Sequence, residues 1–498
     1  MVRRYFIFFW FILQYVAVNA QQAGEYAKLI TPGDLKENLS ILASDALEGR
    51  ATGTRGQKMA AAFISYHFKE LGLKPPVNGS FYQHFDLYRT IPGEVFLTAG
   101  GKRFNNFKDI LYYGKDNSGG EVTLPVVFAG KGRLQDYQQL DVSGKGVLIL
   151  LGAGEDYRGV VSLARSKKAE MVFVAITGKN EEFKEYAQLF DEFLFDGNLS
   201  LIQPEITGKS RGVFFVSSAV AEKIFDTALN KLSEVANETK SNSLKKIALG
   251  KVSYSTAAEI KTVESENVLG FLEGTDKKDE VIVITSHYDH IGKKRAGEGD
   301  LINNGADDDG SGTVAVMQLA KAFAEAKKEG KGPRRSILFM TVAGEENGLL
   351  GSAYYTQNPV FPLAKTVVDL NIDMIGRRDD QHKESPPYLY VIGADKLSST
   401  LQQVSESVNK KYTNLVFDYT YNDETHPARL YYRSDHWNFA KKNIPIIFYF
   451  DGIHEDYHLP SDEVEKIEFD LLTVRTKCIF YTAWEIANRE ERIMPDKK

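Results

Sequence analysis

Five short polar segments between Ser286 and Asp462 carry side chains of the types that bind divalent metals. They read SHYDHIG, GADDDGSG, AGEENGLLGS, NIDMIG and DYHLPSD, and several follow strongly apolar runs such as VIVITS and ILFMTVAG. A carboxylate at the end of a buried strand loses its hydration, and apolar packing does not compensate for that loss. A bound divalent cation does compensate, so the pattern predicts a metalloenzyme.

The mixture of residue types indicates zinc or a similar metal. The predicted ligands are His287, Asp373 and His458, together with one aspartate of 307–309 and one of the two glutamates at 345 and 346. Calcium and magnesium take oxygen ligands almost exclusively, whereas zinc accepts both imidazole and carboxylate. A two-metal site that shares one carboxylate would polarise a carbonyl group and generate hydroxide near neutral pH.

Other polar side chains in these segments have several interpretations. Whichever of the two glutamates does not bind metal could act as general base and then as general acid. Asp289 could orient the ring of His287. Aspartates at 307–309 could instead satisfy free amides where a helix opens. His290, His436 and His454 are candidates for contacts around the metals or with the substrate.

The pattern of elements from Glu264 onward is strand, polar loop and helix in repetition. This pattern predicts an α/β fold with a mostly parallel, mixed central sheet flanked by helices, in which sites form at the carboxyl ends of strands. Near the start, two amphipathic helices surround a loop rich in Gly and Thr, and Gly72 closes the second helix. We assign residues 21–94 and 257–498 to one domain. Residues 95–256, with shorter strand-like runs, are predicted to be an inserted domain.

The first twenty residues, MVRRYFIFFWFILQYVAVNA, have a basic start and an apolar stretch that ends in small residues. They predict a signal peptide over residues 1–20 and a secreted or periplasmic protein. A membrane anchor is the alternative, but the stretch is short for a spanning helix and Gln14 interrupts it. Cys478 is the single cysteine and is expected to be buried and inert. A net charge of -6 without a basic stripe argues against a nucleic-acid partner.

The five segments, together with LASDALEGRATGTRG near the start, resemble the dizinc exopeptidases. This family contains secreted bacterial leucyl aminopeptidases and aminopeptidase Y, and it is related to glutamate carboxypeptidase. The resemblance implies a zinc-exopeptidase sandwich fold and two Zn²⁺ ions, with other divalent metals as alternatives. It also implies that the inserted block is a β-rich protease-associated domain.

The resemblance also implies a role for each site residue. Asp308 would bridge the two metals, with His287 and Asp373 completing one metal site. Glu346 and His458 would complete the other. Three further residues would assist catalysis: Glu345 as general acid/base, Asp289 as the partner that orients His287, and Tyr457 as a group that steadies the oxyanion.

The predicted function is hydrolysis of amino-terminal residues from peptides by a zinc-activated water, with a glutamate as general base. The substrate would be a peptide with a free amino terminus. The first alternative is a carboxypeptidase or dipeptidase of the same superfamily. It would need a cationic cluster, for which four arginines are available: Arg377, Arg378, Arg429 and Arg433. The second alternative is a non-catalytic binding protein on the same fold, which would hold metal weakly or not at all.

Overall fold

The computed structural model describes residues 22–497 except 115, 153–154, 178–182, 185–186, 188–198, 207–211, 239–241 and 295–297. The predicted signal peptide lies outside these residues. The chain forms two compact units, one up to Asp86 and from Glu264 onward, and a second over Leu87–Val263. The predicted boundaries, 94/95 and 256/257, lie seven or eight residues inside those of the structure.

The described strands are, in chain order, β1 (Tyr82–Pro92), β2 (Phe96–Ala99), β3 (Lys102–Asn105), β4 (Ile110–Tyr113), β5 (Val122–Phe128), β6 (Gly146–Gly152), β7 (Met171–Thr177), β8 (Leu199–Ser200), β9 (Val213–Val216), β10 (Gly250–Ser255), β11 (Ala258–Leu272), β12 (Lys277–His287), β13 (Arg335–Val342), β14 (Thr366–Ile372), β15 (Tyr388–Ile392), β16 (Val416–Asp418) and β17 (Ile446–Phe450). Each boundary between the units lies within a long strand, β1 or β11. A change in composition along the sequence therefore gives only an approximate position for each boundary.

The described α-helices with assigned bounds are α1 (Pro32–Leu42), α2 (Arg55–Glu70), α3 (Tyr157–Ser166), α4 (Ser218–Phe225), α5 (Leu229–Asn237), α6 (Gly312–Lys328), α7 (Leu350–Gln357), α8 (Leu401–Tyr412), α9 (His436–Ala440) and α10 (Phe469–Asn488). The predicted helix pair near the start is confirmed as α1 and α2. Gly72 follows α2 with a φ of +76°, a conformation that glycine adopts without strain.

The first unit is built on a mixed sheet with the strand order β16-β15-β17-β14-β12-β13-β11-β1. Its centre, β13, β12, β14 and β17, is parallel, whereas β11 and β15 pair antiparallel with their neighbours β13 and β17. The mixed α/β architecture that we predicted is confirmed. The parallel pairing matters for function because it brings four strand ends to one edge of the sheet.

The central strands are apolar throughout because both faces of the sheet are covered. Ile282 and Ile284 of β12 pack into the core that includes residues of α1, α2, α6 and α10. Val281 and Val283 point to the opposite face, where the second core includes Tyr355 and Phe439. Alternation along an extended strand thus supplies two apolar layers from one continuous run.

The second unit contains an eight-stranded sheet in the order β3-β2-β10-β5-β6-β7-β9-β4. Strands β5, β6, β7 and β9 are parallel, and α3 connects β6 to β7. The remaining strands pair antiparallel at the two sides. The assignment of this unit as a protease-associated domain stays a prediction.

Cys478 lies in α10 and is fully buried, as predicted. Burial raises the pKa of its thiol to about 12, so the nucleophilic thiolate is disfavoured at neutral pH. Among the residues that the structure describes, no helix is long and apolar enough to cross a membrane.

Candidate metal centre

The predicted ligands converge at the edge where the parallel strands of the first unit end. His287 is the last residue of β12, and Asp373 directly follows β14. Glu345 and Glu346 lie three and four residues beyond β13, and His458 lies in the loop after β17. Because parallel strands run in one direction, their carboxyl ends meet at the same edge.

One group of ligand atoms forms around His287. Its Nε2 lies 3.2 Å from Asp308 Oδ1, 3.5 Å from Asp373 Oδ1 and 4.0 Å from Glu345 Oε2. Two ligand atoms that share a tetrahedral zinc ion are about 3.4 Å apart, given metal–ligand distances near 2.1 Å. The contacts of His287 with the two aspartates therefore have the separation of ligands to a common ion.

A second group of ligand atoms forms around His458. Its Nε2 lies 3.1 Å from Asp308 Oδ2 and 3.2 Å from Glu346 Oε2. His290 also reaches this group, with Nδ1 at 2.7 Å from Glu346 Oε1 and 3.7 Å from Asp308 Oδ2. Asp308 thus turns one oxygen toward each group, while His290, a predicted candidate for contacts around the metals or with the substrate, lies beside the second group.

The neighbours of Asp308 make different contacts. Asp309 also lies near His287 and Asp373, but its carboxylate oxygens accept from three backbone amides: His287 at 3.2 Å, Gly312 at 2.9 Å and Met374 at 3.1 Å. Asp307 Oδ1 accepts from the amide of Gly376 at 2.7 Å. These two aspartates hold the loop and the helix start, which leaves Asp308 as the carboxylate shared between the groups.

Asp373 is positioned by a serine that the sequence analysis did not single out. The hydroxyl of Ser434 donates to Asp373 Oδ2 at 2.6 Å and accepts from the side-chain amide of Asn371 at 2.9 Å. Oδ1 of Asp373 therefore remains directed at His287. The only signal in the sequence was a polar pair, Ser-Asp, inside the aromatic stretch RLYYRSDHWNF.

The environment of the His287 ring involves Asp289, though not chiefly through its carboxylate. His287 Nδ1 lies 3.1 Å from the backbone carbonyl of Asp289 and 3.8 Å from its Oδ1. The carboxylate instead accepts from the hydroxyl of Thr52 at 2.7 Å and from the amide of Glu345 at 3.4 Å. Asp289 thus connects the segments that carry His287 and Glu345, and Thr52 anchors it.

Two buried side chains fix the backbone of the ligand loops. Arg50, from the GRATGTRG stretch, donates to the carbonyls of Leu42, Tyr288, Asn304 and Gly305 at 2.6–2.9 Å. Asp462 accepts from the amides of Asp307 and Asp308 at 3.0–3.2 Å. Because both are buried, these hydrogen bonds are made away from water and rigidify the site.

The two adjacent glutamates have opposite pKa shifts. Burial raises the pKa of Glu345 well above its usual value, and the negative charges of Glu346 and Asp373 add to the shift, while His287 opposes it. Burial also acts to raise the pKa of Glu346, but the close imidazoles of His290 and His458 outweigh it and lower the pKa to about 2. Such divergence between neighbouring carboxyl groups separates a proton carrier from a permanent anion.

A pocket that is open to solvent adjoins the first group of ligand atoms. Its lining has a polar end and a largely apolar end, comprising His287, Asp308, Glu345, Asp373, Met374, Leu430, Arg433, Phe448, Phe450, Ile453 and Tyr457. Tyr457 stacks on His458 with ring centroids 3.8 Å apart. Met374 and His458 both have a φ of 59°, a conformation that costs about 1–3 kcal/mol and is concentrated at functional sites.

The residues of the centre fit a metal ion. Within the described part of the chain, His458 Nε2, Glu346 Oε1 and both ring nitrogens of His290 are buried without a geometrically satisfactory hydrogen bond. Leaving such atoms unsatisfied costs about 1–3 kcal/mol each. Divalent cations would satisfy Glu346 and His458, and the set of two imidazoles and three carboxylates suits zinc.

The sheet edge and its ligand groups form a candidate metal centre on a mixed α/β fold. Residues 267–483 match the model of Peptidase family M28. This stretch lies within the first unit and contains all five predicted ligands, so this part of the chain is similar to peptidase family M28. Together with the named relatives below, the match identifies the protein as a peptidase of the hydrolase class.

Relatives with known names extend the comparison along the chain. Aminopeptidase YwaD of Bacillus subtilis (strain 168) is 23% identical over 467 residues, which cover 91% of this chain and 85% of that protein. A probable leucine aminopeptidase of Trichophyton verrucosum is 28% identical over 218 residues, 42% of this chain and 55% of that protein. The chain spans about half or less of three matching proteins that are each named probable zinc metalloprotease, from Pyricularia oryzae, Pyrenophora teres and Pyrenophora tritici-repentis.

Two solved structures share the fold over nearly the whole chain. The aminopeptidase from Aneurinibacillus sp. strain AM-1 has a TM-score of 0.54 and 19% identity, covering 96% of this chain and 98% of that one. A zinc aminopeptidase from Bacillus subtilis has a TM-score of 0.53 and 20% identity, covering 94% and 99% respectively.

Proposed function

We propose that this protein is a dizinc aminopeptidase that hydrolyses amino-terminal residues from peptides. The observation that carries the proposal is Asp308, whose two carboxylate oxygens lie at 3.1–3.2 Å from His287 on one side and His458 on the other. This arrangement suits a carboxylate that bridges two ions. The names of the relatives, among them an aminopeptidase that matches 91% of the chain, support the choice of substrate class.

Five side chains would hold the two ions. Asp308 would be shared, His287 and Asp373 would complete one site, and Glu346 and His458 would complete the other. When bound, zinc would polarise the scissile carbonyl and lower the pKa of a water molecule toward neutrality.

Glu345 is the residue best placed to move protons. Its Oε2 lies 4.0 Å from His287 Nε2 and it lines the pocket, so it would remove a proton from the attacking water and pass it to the leaving amine. The hydrogen bond from its amide to Asp289 holds the segment in place. Tyr457, on the same pocket wall, would donate to the oxyanion of the tetrahedral intermediate.

The carboxypeptidase alternative has little support from the arginines. Arg377 is paired with Asp456 at 2.9 Å, and Arg378 is paired with Glu468 at 3.1 Å. Among the residues lining the pocket, Arg433 is the single arginine. A cluster of cations that could hold a terminal carboxylate close to the metals is thus absent from the described pocket. The non-catalytic alternative is disfavoured because the ligand set is complete.

We also propose that the protein is exported and that residues 1–20 are removed. The support is the basic and then apolar character of this segment, which ends in small residues. Intact-mass analysis of protein from the periplasm or the culture medium should give an amino terminus close to Gln21. Recovery of the full-length chain in the membrane fraction would identify an anchor instead.

The function is tested with one peptide in three forms: free, amino-acetylated and carboxy-amidated. Each form is incubated with purified zinc-loaded protein, with and without a zinc chelator, and the products are identified by mass spectrometry. We expect stepwise loss from the amino end of the free and amidated forms, prevented by acetylation and by the chelator. Loss from the carboxyl end would establish the carboxypeptidase alternative, and no cleavage of any form would reject both.

A further inference from the structure

Arg433 brings a positive charge without an acidic partner to the substrate pocket. The side chain is exposed, it lines the pocket, and in the described part of the chain it forms no ion pair and no side-chain hydrogen bond. The other basic side chain of the lining is His287, which belongs to the metal groups. The guanidinium of Arg433 therefore remains available to a ligand in the pocket.

The backbone keeps this charge close to the reaction centre. The amide of Arg433 donates to the carbonyl of Leu430 at 3.1 Å, and the next residue, Ser434, is tied to Asp373 at 2.6 Å. A displacement of Arg433 would therefore strain a contact to a predicted metal ligand. The pocket thus has carboxylates at its metal end and the positive charge of Arg433 on its otherwise apolar wall.

Guanidinium groups bind carboxylates through two parallel N–H···O bonds, a geometry that other cations do not provide. The apolar residues Leu430, Phe448 and Phe450, which line the same pocket, offer a bound ligand no competing charge. The same charge repels a cationic ligand. The wall around Arg433 therefore distinguishes ligands by charge as well as by size.

Resting on the proposed aminopeptidase function, we propose that Arg433 selects peptide substrates that place a carboxylate next to the scissile bond. The carboxylate can come from the side chain of an amino-terminal Asp or Glu, or from the terminal carboxyl group of a dipeptide. Arg433 is a specificity-determining residue in this assignment. It takes no part in the proton transfers, so its effect on carboxylate substrates is on binding.

The experiment compares the wild type with Arg433→Gln and Arg433→Glu. The matched control is Arg429→Gln, because Arg429 is also an exposed arginine of this segment, but it lies over the ring of Tyr432 and does not line the pocket. Values of kcat/KM are measured on amino-acyl fluorogenic amides that begin with Glu, Gln, Leu or Lys and carry no terminal carboxylate. Dipeptides with free and amidated carboxyl ends form the second series.

For a side-chain carboxylate, we expect the wild type to prefer Glu over Gln by about tenfold to a hundredfold, the range of a charge-assisted hydrogen bond. Arg433→Gln removes this preference through KM, so that the Glu and Gln substrates become equivalent, and Arg433→Glu favours Lys. If the recognised group is a terminal carboxylate, the wild type prefers free over amidated dipeptides by the same factor, and Arg433→Gln removes that preference. In both cases Arg429→Gln behaves as the wild type.

A binding measurement separates this inference from the function. In the Glu345→Gln background, which suppresses turnover, calorimetric titration compares the α-amides of glutamic acid and glutamine, and free with amidated dipeptides. A preference for the carboxylate that requires Arg433 supports the inference even if no peptide is hydrolysed. Equal affinities in both comparisons, or a preference that survives Arg433→Gln, overturn it while leaving the aminopeptidase function intact.

Discussion

The hydroxyl of Ser434 offers the sharpest test of how the metal centre is organised. It donates to Asp373 Oδ2 at 2.6 Å, accepts from Asn371 at 2.9 Å and is almost fully buried. A hydrogen bond to a charged group contributes about 1.5–3 kcal/mol. At about 1.4 kcal/mol for each factor of ten, Ser434→Ala should weaken zinc binding at the His287–Asp373 site by about tenfold to a hundredfold.

The second site should change little, because Glu346 and His458 make no contact with Ser434 among the contacts described. Zinc binding is measured by competition with a chromophoric chelator, which resolves two affinities, and activity is followed at low and at saturating zinc. We expect one of the two affinities to fall and most of the activity to return at high zinc. The variant should fold normally, as judged by circular dichroism.

Ser336→Ala is the matched control. Ser336 is equally buried, donates to the carbonyl of Lys278 at 2.6 Å and accepts from the amide of Gly274 at 2.9 Å. It lies at the opposite end of the sheet, near the start of β13. Its loss should lower stability without altering zinc affinity. If the zinc isotherm of Ser434→Ala superimposes on that of the wild type, or if Ser336→Ala changes it equally, our account of Asp373 is wrong.

Three further predictions concern neighbouring residues. Glu345→Gln should retain both zinc ions and lose about 10²–10⁴ in kcat, measured by metal analysis and steady-state kinetics, and normal turnover would exclude the proton-transfer role. His290→Phe removes the partner at 2.7 Å from Glu346 and should weaken zinc binding by about 10–100-fold, whereas unchanged affinity in chelator competition would show that His290 does not position Glu346. Burial lowers the pKa of His436 to about 3 from 6.5, so its contribution to stability is complete above pH 6.5 and is lost as the pH falls toward 3. Between pH 7 and pH 4.5, the free energy of unfolding of the wild type should therefore fall by about 2–3 kcal/mol more than that of His436→Phe, measured by urea unfolding of the metal-free protein, and parallel pH profiles would contradict this.

Much of the fold could be predicted because its signals are local. The apolar runs of β12, β13 and β14 end abruptly in polar residues, and the amphipathic patterns of α1 and α2 stand on both sides of a glycine-rich loop. Strand and helix periods are properties of a few consecutive residues. The domain boundaries were less accurate, because β1 and β11 run through them without a break in pattern.

Side-chain contacts over long sequence separations could not be predicted in this way. Thr52 meets Asp289 across 237 positions, and Arg50 meets Gly305 across 255. These partners come from loops, where the direction of a side chain follows no repeating period. The sequence motif near the start indicated that this region is unusual. It did not indicate which groups its side chains would contact.

The sequence by itself determined the chemistry of this protein: the kinds of ligand, their order along the chain and their location at strand ends. It did so because a buried strand that ends in carboxylate or imidazole is informative without any partner. Only the tertiary structure decided which atoms meet, such as one oxygen of Asp308 in each ligand group, His290 beside Glu346, and Arg433 at the pocket. Those relations arise from the convergence of four strand ends and several irregular loops, and their geometry is set by packing across the whole unit.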